Sequence, residues 1–418
     1  MKLKENLYSA YGKMRQIYRM KKGSRFCWHN DRISVVFLMQ YTPSWGKLEL
    51  LYDSLIRNPE FDVHLVCVPD NLNNGVPADN MNQTYQYFTD KGYEAVDAWM
   101  GDGRWFDLKT LKPDYVFTTR PYDFYLPVDY QSHNMCLYTR ICNFSYGINI
   151  DRELEEMVFG QSFYMHTYMY FVEMESLVAD YQKAQSLGHR LGLNHSDCLG
   201  MIALDGFMND KNSESASWKF ATNGLRVIWA PRWTTDKKLG GSNFFTYKDF
   251  MLDYFREHDE MNLLMRPHPL MFDNFISTGE MTVDEVEKYK AEVNSIKNIA
   301  FDDQKEYAAT FWNSDVLIAD YSSIVPECFL TEKPLIFCAT NMELTLLDNM
   351  EDILKGSYVV NSEQELRGCL EELRQGKDTR KDIRIEIKQK LFGKTLGKSV
   401  ELTTNWLIED WRKSNASN

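Results

Sequence analysis

Two short segments carry side chains that could bind phosphate, and each follows an apolar run that predicts a buried parallel strand. The first is residues 319–323 (ADYSS), which follow residues 316–318 (VLI), and apolar residues resume at Cys328 as on the core face of a helix. The first N–H groups of a helix lack partners within it and the dipole is positive there, so hydroxyls at this corner predict a phosphate site. The alternative is that Ser322 or Ser323 is simply an N-cap.

The position of Glu327 adds to this corner. It lies four residues after Ser323, whereas a capping box needs an acidic or amide side chain three residues after the cap. With Ser323 as the cap, Pro326 falls where its missing N–H costs nothing, and Glu327 is one turn on, on the same face. A carboxylate there could accept hydrogen bonds from ligand hydroxyls while the helix end holds phosphate.

The second segment is Arg266-Pro267-His268-Pro269, which follows the predicted strand 261–265 (MNLLM). The two prolines hold His268 on a stiff, extended corner. Ligands of open α/β sheets bind at the carboxyl ends of strands, so the imidazole is a candidate site residue. The alternative is a structural turn, but two such corners in one half of the chain favour function.

Together these segments resemble the CDP-glycerol glycerophosphotransferase family, the polymerases and primases of teichoic acids and capsules. The matching stretches are residues 266–269 (RPHP), 320–323 (DYSS) with Glu327, 332–337 (EKPLIF), 227–234 (VIWAPRWT) and 204–210 (LDGFMND). The resemblance is good over about residues 200–340, plausible to the C-terminus and weak before residue 200. Bacterial sialyltransferases carry a comparable His-Pro and Ser-Ser pair that holds CMP, so the shared content is a cytidine nucleotide phosphate site.

The resemblance implies attack of an acceptor hydroxyl on the β-phosphorus of CDP-glycerol or CDP-ribitol, with CMP as the leaving group. His268 would donate a hydrogen bond to the phosphates or protonate the leaving group, and Glu327 would contact ribose or polyol hydroxyls. The residues expected to bind the donor nucleotide and its phosphates are Ser322, Ser323, Arg266, Arg232 and Asp320. Either arginine could instead form an ordinary ion pair, and Arg266 is the better candidate because it ends a strand. No cofactor is implied, and without an Asp-x-Asp sequence no metal is indicated.

The N-terminal half departs from the family. Members of the family usually carry a His-Gly segment there, which is thought to activate the acceptor hydroxyl. In this chain Tyr146-Gly147, within residues 140–149 (RICNFSYGIN), stands at the corresponding place. A phenol with a pKa near 10 is a poor general base at neutral pH. Other candidate bases on the acceptor side are His133, His166, Asp53 and Glu49.

Two classes of function therefore remain open. One is an active transferase of glycerol-phosphate or ribitol-phosphate units to a polyol-phosphate or polysaccharide acceptor that could be lipid-linked, or a relative using another CMP-activated donor. The other is a cytidine-nucleotide-binding protein of a polymer assembly complex that has lost catalysis. The residues after Asp320 and the run from Lys333 favour the glycerophosphotransferases over the sialyltransferases.

Alternating strand and helix patterns predict an α/β, GT-B-like fold with two Rossmann-like domains facing a cleft. The predicted strands are 33–38, 63–68, 115–117 and 169–172, then 225–230, 262–265, 316–319 and 334–338. The predicted parts are a basic N-terminal segment (1–30), an acceptor-side domain (31–208), a polar linker (209–223), a donor domain (224–395) and a C-terminal helix (396–418) that crosses back to the first domain.

Charge is distributed unevenly along the 418 residues. The chain has a formal charge of −13, but residues 1–25 carry eight lysines and arginines against one glutamate, a net of +7. Leu7, Tyr11, Met14 and Tyr18 recur at helical spacing among them. This pattern predicts a basic amphipathic helix on an anionic membrane surface, and the alternative is a helix packed on its own domain. Nucleic acid is not expected as a partner, because the acidic remainder repels phosphates.

The cysteines and the apolar runs bear on the compartment. The eight cysteines are scattered, and Cys67 and Cys338 lie in strand-like runs where thiols act as small apolar residues. No apolar run reaches the roughly 18–20 residues that span a bilayer. The expected location is therefore the cytoplasm, peripheral at the inner face of the cell membrane.

Overall fold

The chain folds into two units, each with its own parallel sheet. The computed structural model describes residues 2–73, 76–145, 147–212, 218–220, 224–302, 307–339 and 343–416. Unit 1 comprises residues 1–147, 156–206 and 395–418, and unit 2 comprises residues 148–155 and 207–394. The short segment 148–155 was expected within the first domain, and the structure instead groups it with unit 2. Most of the predicted linker, at 213–217 and 221–223, lies outside the described residues.

Unit 1 is built on a seven-stranded sheet among its described residues, in the order β5-β2-β1-β6-β7-β8-β9, with parallel neighbours. Its strands, with the hairpin β3–β4, are β1 (Ile33–Met39), β2 (Phe61–Cys67), β3 (Leu72–Asn73), β4 (Val76–Pro77), β5 (Val96–Asp97), β6 (Tyr115–Thr118), β7 (Arg140–Phe144), β8 (Met169–Phe171) and β9 (His195–Asp197). The helices up to the end of this stretch of chain are α1 (Lys2–Gly23), α2 (Glu49–Leu55), α3 (Gln83–Asp90), α4 (Ser132–Met135), α5 (Arg152–Phe159), α6 (Ser162–His166), α7 (Ser176–Ala184), α8 (Ser186–Arg190) and α9 (Ile202–Asn209).

Stacked aromatic side chains occupy the core of unit 1. Phe37, Phe117, Phe144 and Phe171 come from the adjacent strands β1, β6, β7 and β8, and the centroids of neighbouring rings lie 4.5–6.0 Å apart. All four are buried, since strands covered by helices on both faces must be apolar throughout. This packing aligns the carboxyl ends of these strands along one edge of the sheet.

Unit 2 repeats this architecture with a six-stranded sheet among its described residues, in the order β12-β11-β10-β13-β14-β15, again with parallel neighbours. Its strands are β10 (Arg226–Ala230), β11 (Asn262–Met265), β12 (Ile299–Phe301), β13 (Val316–Ala319), β14 (Leu335–Cys338) and β15 (Tyr358–Val360). Its helices are α10 (Phe244–Glu257), α11 (Met271–Ser277), α12 (Val283–Ser295), α13 (Ala308–Asn313), α14 (Ile324–Phe329), α15 (Asp348–Lys355), α16 (Glu363–Arg374) and α17 (Lys381–Phe392).

The last helix, α18 (Ser399–Ala416), packs in unit 1. Leu407 is buried with the aromatic core of that unit, and Tyr115 and Tyr168 donate hydrogen bonds of 2.6 and 2.7 Å to Asp410. The carboxylate of Asp205 accepts from the N–H groups of Gly397 and Ser399, which satisfies donors at the start of the helix.

The basic N-terminal segment forms α1, and its two ends differ. Of the predicted apolar stripe, Tyr11, Met14 and Tyr18 are 67–69% exposed. The end of the helix is instead attached to unit 1, because Met20 is buried and Arg19 donates a 2.5 Å hydrogen bond to the carbonyl oxygen of His133.

Two further properties concern the described part of the chain as a whole. All eight cysteines are unbridged, and Cys67 and Cys338 are fully buried within their strands. Within the described ranges, no helix combines the length and the apolar character that a membrane span needs.

Candidate functional site

Each sheet has a topological switch point, where successive connections leave in opposite directions. In unit 2 it lies between the neighbouring strands β10 and β13, and in unit 1 between β1 and β6. Ligands of open α/β sheets bind outside the carboxyl ends of the strands at such points. In unit 2 the residues there follow Ala230 and Ala319, so both the segment from Pro231 and the predicted segment 320–323 lie at this crevice.

The serines at the start of α14 present their hydroxyl groups differently from an ordinary cap. Ser323 precedes the helix with φ −63° and ψ −16°, and its side chain makes no capping hydrogen bond. Ser322 Oγ accepts a long bond of 3.4 Å from the N–H of Ile324. Ser323 is solvent-exposed and Ser322 half-buried, and neither side chain makes an ordinary N-cap hydrogen bond.

His268 is held at the carboxyl end of β11, next to β10. Its N–H donates to the carbonyl oxygen of Pro231 at 3.3 Å, and its Nδ1 accepts from the N–H of Leu270 at 3.2 Å. An accepting Nδ1 assigns the proton of the neutral ring to Nε2. Partial desolvation of the ring, and after it the charge of Arg232, lowers the pKa of His268 below its ordinary value. The imidazole is therefore a neutral donor through Nε2–H at neutral pH.

Arg266 and Glu327 belong to one buried polar network. Arg266 forms a 2.6 Å ion pair with Asp302, whose side chain is 1% exposed, and its guanidinium lies 5.3 Å from the ring centroid of Tyr307. The phenol of Tyr307 in turn donates to Oε2 of the buried Glu327. Burial, followed by the charge of Glu327, raises the pKa of Tyr307 well above its ordinary value.

This network gives two acidic side chains partners inside the protein. An adjacent acidic pair such as Asp302-Asp303 normally marks a solvated turn or helix face, but Asp302 is buried, and Asp303 lies outside the described residues. Glu327, expected to face ligand hydroxyls, directs one carboxylate oxygen to Tyr307. Asp302 lies directly after β12, a strand that the sequence analysis does not predict, and no pattern in the sequence marks Tyr307.

Arg232 and Asp320 hold the switch point of unit 2 together. Asp320 is fully buried and accepts from the N–H of Arg232 at 3.0 Å, from the side chain of Ser242 at 3.2 Å and from the N–H and side chain of Asn243 at 3.2 and 3.1 Å. Arg232 donates to the carbonyl oxygens of Leu239 and, at 2.9 Å, of Tyr321, and stacks 4.5 Å from the centroid of the Tyr321 ring. The carboxylate of Asp320 thus links the loop after β13 to the segment 232–243 after β10 through hydrogen bonds inside the protein.

The stack of Arg232 on Tyr321 is closely packed. A Cβ atom on Gly240 would lie 2.3 Å from the Tyr321 ring, and the φ of Gly240 is +96°. The phenol of Tyr321 donates to Asp151, which belongs to the segment 148–155 of unit 2. The same segment pairs with residues 345–347, where the N–H of Leu347 donates to the carbonyl oxygen of Ile150 at 3.1 Å.

Lys333, from the run that carried the resemblance, has a structural position. Its Nζ donates to the carbonyl oxygens of Phe311, Trp312 and Ser314, which end α13. Burial lowers the pKa of this lysine to about 8. The lysine therefore satisfies orphan carbonyls of a helix C-terminus.

The predicted acceptor-side residues of unit 1 are dispersed. Tyr146 lies outside the described residues, and Gly147 accepts a 2.6 Å hydrogen bond from Ser145 Oγ through its carbonyl oxygen. His133 is on α4, which leads into the amino end of β7, and its ring lies 6.3 Å from that of His166. The other candidate bases, on α2, are engaged locally, since Glu49 accepts from Tyr93 and Asp53 pairs with Arg57.

A buried carboxylate that the sequence did not reveal lies at the carboxyl edge of unit 1. Glu173 follows β8 and is 3% exposed, and among the described residues no donor meets its carboxylate oxygens with good hydrogen-bond geometry, although the side chains of Ser145 and Tyr170 lie close to it. Burial raises its pKa to about 7. A glutamate that is half-ionised near neutral pH is suited to taking up a proton, and it lies near Ser145, just before the Tyr146-Gly147 segment.

Comparison with known families confirms the resemblance over the C-terminal half. Residues 211–407 match the family described as CDP-Glycerol:Poly(glycerophosphate) glycerophosphotransferase. The matched region contains His268, the Ser322-Ser323 pair and the Arg266 network. This match indicates a transferase. Among curated proteins, no match to the sequence is found.

Comparison with solved structures confirms the GT-B-like fold. The wall teichoic acid polymerase TagF is 14% identical, covers 91% of this chain and 89% of its own, and has a TM-score of 0.57. The UDP-GlcNAc 2-epimerase of Neisseria meningitidis is 11% identical, covers 90% and 100%, and has a TM-score of 0.60. The same enzyme from Methanocaldococcus jannaschii is 13% identical, covers 90% and 99%, and has a TM-score of 0.55. At these identities the likeness concerns the fold.

Proposed function

We propose that this chain, a transferase whose residues 211–407 match the glycerophosphotransferase family, moves a glycerol-phosphate or ribitol-phosphate unit from a CDP-alcohol to a teichoic-acid-like or capsular acceptor. The observation that carries the proposal is the arrangement at the switch point of unit 2. Two serine hydroxyls follow β13 and a neutral imidazole follows β11, and β10 lies between these strands. Donors at the carboxyl edge of a sheet suit a nucleotide diphosphate.

The reaction we propose is a displacement at the β-phosphorus of the donor. The acceptor oxygen forms a bond to that phosphorus, the bond from phosphorus to the oxygen of CMP breaks, and CMP keeps the electron pair. The proton of the acceptor hydroxyl passes to a base on the acceptor side, for which Glu173 is better suited than Tyr146. Such a transfer depends mainly on donors aimed at the phosphoryl oxygens.

The donor side would be divided between two kinds of groups. Nε2–H of His268 and the hydroxyls of Ser322 and Ser323 would bind the phosphates, where the leaving CMP develops charge. Arg266, held by Asp302, would add positive potential from within the protein, and Glu327 would position Tyr307 next to it. Arg232 and Asp320 would maintain the shape of the loops.

The test of the proposal is CMP release from CDP-glycerol and CDP-ribitol in the presence of a polyol-phosphate acceptor. His268→Ala should lower the rate about a hundredfold, the usual cost of removing one donor to a developing charge. His189→Ala changes an exposed histidine of α8 in unit 1 and is the matched control. Equal rates in the two variants would remove His268 from the mechanism.

Nucleotide binding separates this function from its alternative. CMP at about 100 times its dissociation constant should stabilise the folded state by roughly 2.7 kcal/mol, whereas UMP and AMP should not. A CMP shift without CMP release from any CDP-alcohol would support the second candidate, a cytidine-nucleotide-binding protein, which the absence of a histidine beside Gly147 favours. A transferase using another CMP-activated sugar would release CMP only from that donor.

The exposed stripe of α1 supports a peripheral position on an anionic membrane, where a lipid-linked acceptor would be found. Tyr11, Met14 and Tyr18 are exposed to solvent in a segment rich in lysine and arginine, as binding to a bilayer interface requires. Replacing Tyr11 and Met14 with serine should weaken binding to anionic vesicles about tenfold or more, given roughly 1.5–3 kcal/mol for each buried apolar side chain. Equal binding to neutral and anionic vesicles would contradict this part of the proposal.

A further inference from the structure

The switch point of unit 1 carries an exposed cluster of aromatic side chains around one arginine. Tyr41 is the second residue after β1 and Arg120 the second residue after β6, so the two flank the crevice between these neighbouring strands. We call the aromatic–arginine surface the set of side chains Tyr41, Arg120, Tyr122, Phe124, Tyr125 and Val128. Its position is the one at which an open α/β sheet binds ligands.

Arg120 is the centre of this surface. Its guanidinium lies 4.9 Å from the ring centroid of Tyr41 and 4.6 Å from that of Tyr125. Its Nη1 forms a 2.6 Å ion pair with Asp70, which follows β2, the strand on the other side of β1. Two rings and one carboxylate therefore fix the plane of the guanidinium, while its side chain keeps 22% of its surface exposed. A guanidinium fixed in this way is pre-organised for a two-pronged bond to a phosphate.

The aromatic side chains extend the surface beyond the arginine. The rings of Phe124 and Tyr125 are 4.2 Å apart, and the ring of Tyr122 lies 5.8 Å from that of Phe124. Phe124 is 71% exposed and Val128 66% exposed. Apolar residues that are close in sequence and this exposed are uncommon on the surface of a monomeric protein. Exposed ring faces carry partial negative charge and attract the C–H groups of a polyol.

Hydrogen bonds hold the segment that carries these side chains. Gln40 donates from Nε2 to the carbonyl oxygen of Tyr125 at 2.6 Å, and Asn134 donates to the carbonyl oxygen of Val128 at 2.7 Å. Asp123 accepts from the N–H of Ser132 at 2.7 Å. The backbone is therefore fixed on both sides of the exposed side chains. Binding of a ligand would cost little conformational entropy, because this segment is already ordered.

We propose that the aromatic–arginine surface binds the polyol-phosphate chain of the acceptor, with Arg120 on a phosphodiester and the rings of Tyr41, Phe124 and Tyr125 against the carbon chain. This inference rests on the proposed function and names the acceptor subsite of it. A membrane surface fits the cluster less well, since binding to anionic lipid requires several basic residues and Arg120 is the single cation of the set, paired with Asp70.

The test compares acceptors of different length with the full-length protein. The KM for a synthetic glycerol phosphate oligomer should rise about tenfold or more in Arg120→Gln, because an ionic hydrogen bond to phosphate is worth about 1.5–3 kcal/mol and 1.4 kcal/mol is tenfold. Arg120→Lys should restore only part of the affinity, since lysine lacks the planar fork. Phe124→Ala should raise the same KM, and the KM for the CDP-alcohol should stay unchanged in all three variants.

Matched controls come from the opposite edge of the same sheet. Arg57→Gln removes an exposed arginine that also pairs with a carboxylate, Asp53, and Phe26→Ala removes an exposed phenylalanine that precedes β1. Both controls should leave the KM for the oligomer unchanged. If the Arg120 and Phe124 variants behave like these controls, the subsite assignment is overturned.

Direct titration distinguishes failure of this inference from failure of the proposed function. Binding of the glycerol phosphate oligomer to the wild type, and its loss in Arg120→Gln, support the subsite even if no CDP-alcohol releases CMP. Binding of a neutral oligosaccharide equal to that of the phosphate oligomer overturns it. Anionic vesicles whose binding depends on Phe124 but not on the α1 residues Tyr11 and Met14 would also overturn it, in favour of a membrane contact.

Discussion

The two switch points contain the same pair of side chains with their places exchanged. In unit 2, Arg232 is the second residue after the first strand and Tyr321 the second after its neighbour. In unit 1, Tyr41 takes the first place and Arg120 the second. The guanidinium lies 4.5 Å from the ring centroid in unit 2 and 4.9 Å in unit 1, so both crevices are lined by an arginine stacked on a tyrosine.

The surroundings of the two stacks differ. Tyr321 is 4% exposed, with Gly240 against its ring and Asp151 bound to its hydroxyl, and Arg232 donates to two carbonyl oxygens. Tyr41 is 37% exposed, and Arg120 pairs with one partly exposed carboxylate. The stack in unit 2 is closed and holds its loops together, whereas the stack in unit 1 is open to solvent, as the proposed donor site and the proposed acceptor surface require.

The two stacks differ most in the residue that precedes Tyr321 in unit 2 and Arg120 in unit 1. Asp320 accepts four hydrogen bonds in the interior, whereas Thr119 shares one 2.7 Å bond with Ser44. Asp320→Ala should destabilise unit 2 by about 3 kcal/mol or more, because it leaves several buried donors unpaired, and Thr119→Ala should cost about 1 kcal/mol in unit 1. Hydrogen exchange measured separately for the strands of each unit checks both values. Similar small losses would mean that Asp320 does not brace its loops.

Glu173 extends the comparison between the two units. It is a buried carboxylate of unit 1, and it is not surrounded by well-placed hydrogen-bond donors as Asp320 is in unit 2. Its pKa is raised from 4.5 to about 7 in the folded state, so folding favours the protonated form. The resulting stability is present below pH 4.5 and is lost as pH rises toward 7, by about 3 kcal/mol in total. Glu173→Gln should remove this loss and stabilise unit 1 at pH 8.

Denaturant titrations of the wild type and Glu173→Gln at pH 5 and pH 8 test this prediction. The difference between the two proteins should be small at pH 5 and largest at pH 8. Glu49→Gln is the control, because Glu49 accepts from Tyr93 at 2.5 Å near the protein surface. A difference between wild type and Glu173→Gln that does not change with pH would show that Glu173 is ionised throughout.

The packing around Gly240 tests how closed the stack in unit 2 is. Gly240→Ala should cost about 2–4 kcal/mol, since it combines a left-handed backbone penalty with overpacking against Tyr321. Gly279→Ala has the same type of backbone, with φ +77° and open space around it, and should cost only about 1–2 kcal/mol. Thermal unfolding of the two variants provides the comparison. Equal losses would indicate that the Tyr321 ring moves aside.

The sequence predicted the parts of this arrangement that depend on local signals. The strand ends at 266–269 and 319–323 could be located because apolar runs end there in prolines, an aspartate and hydroxyl residues. The family match covers residues 211–407 and so confirms the resemblance in the half of the chain that contains both segments. The stacks, by contrast, depend on which strands are neighbours. Arg232 meets Tyr321, 89 positions away, only because β10 lies beside β13.

Burial of charged residues was equally beyond local pattern. Asp302-Asp303 reads as a surface turn, yet Asp302 is buried because Arg266, from a neighbouring strand, neutralises it. Glu173 follows a strand whose apolar residues end at Val172, and nothing nearby in sequence indicates that it lies inside the fold. The segment 148–155 joins unit 2 through contacts nearly 200 positions away, which no periodicity in the sequence could predict.

The smallest expected effect is that of Asp70→Asn. This variant tests whether the stack of Arg120 on Tyr41 contributes to the stability of unit 1 or to ligand binding. Asp70→Asn breaks a partly exposed ion pair, which should cost only about 0.2–1 kcal/mol of stability and less at high salt. Asp53→Asn, which breaks the pair with Arg57, should cost a similar amount. Because Asp70→Asn also removes a negative charge beside Arg120, binding of the glycerol phosphate oligomer should become slightly tighter in this variant only. Weaker binding would show that the main role of Asp70 is to hold the guanidinium of Arg120 in its binding orientation. A stability loss well above that of Asp53→Asn would show that the exposed stack stabilises its loops, as the stack in unit 2 does.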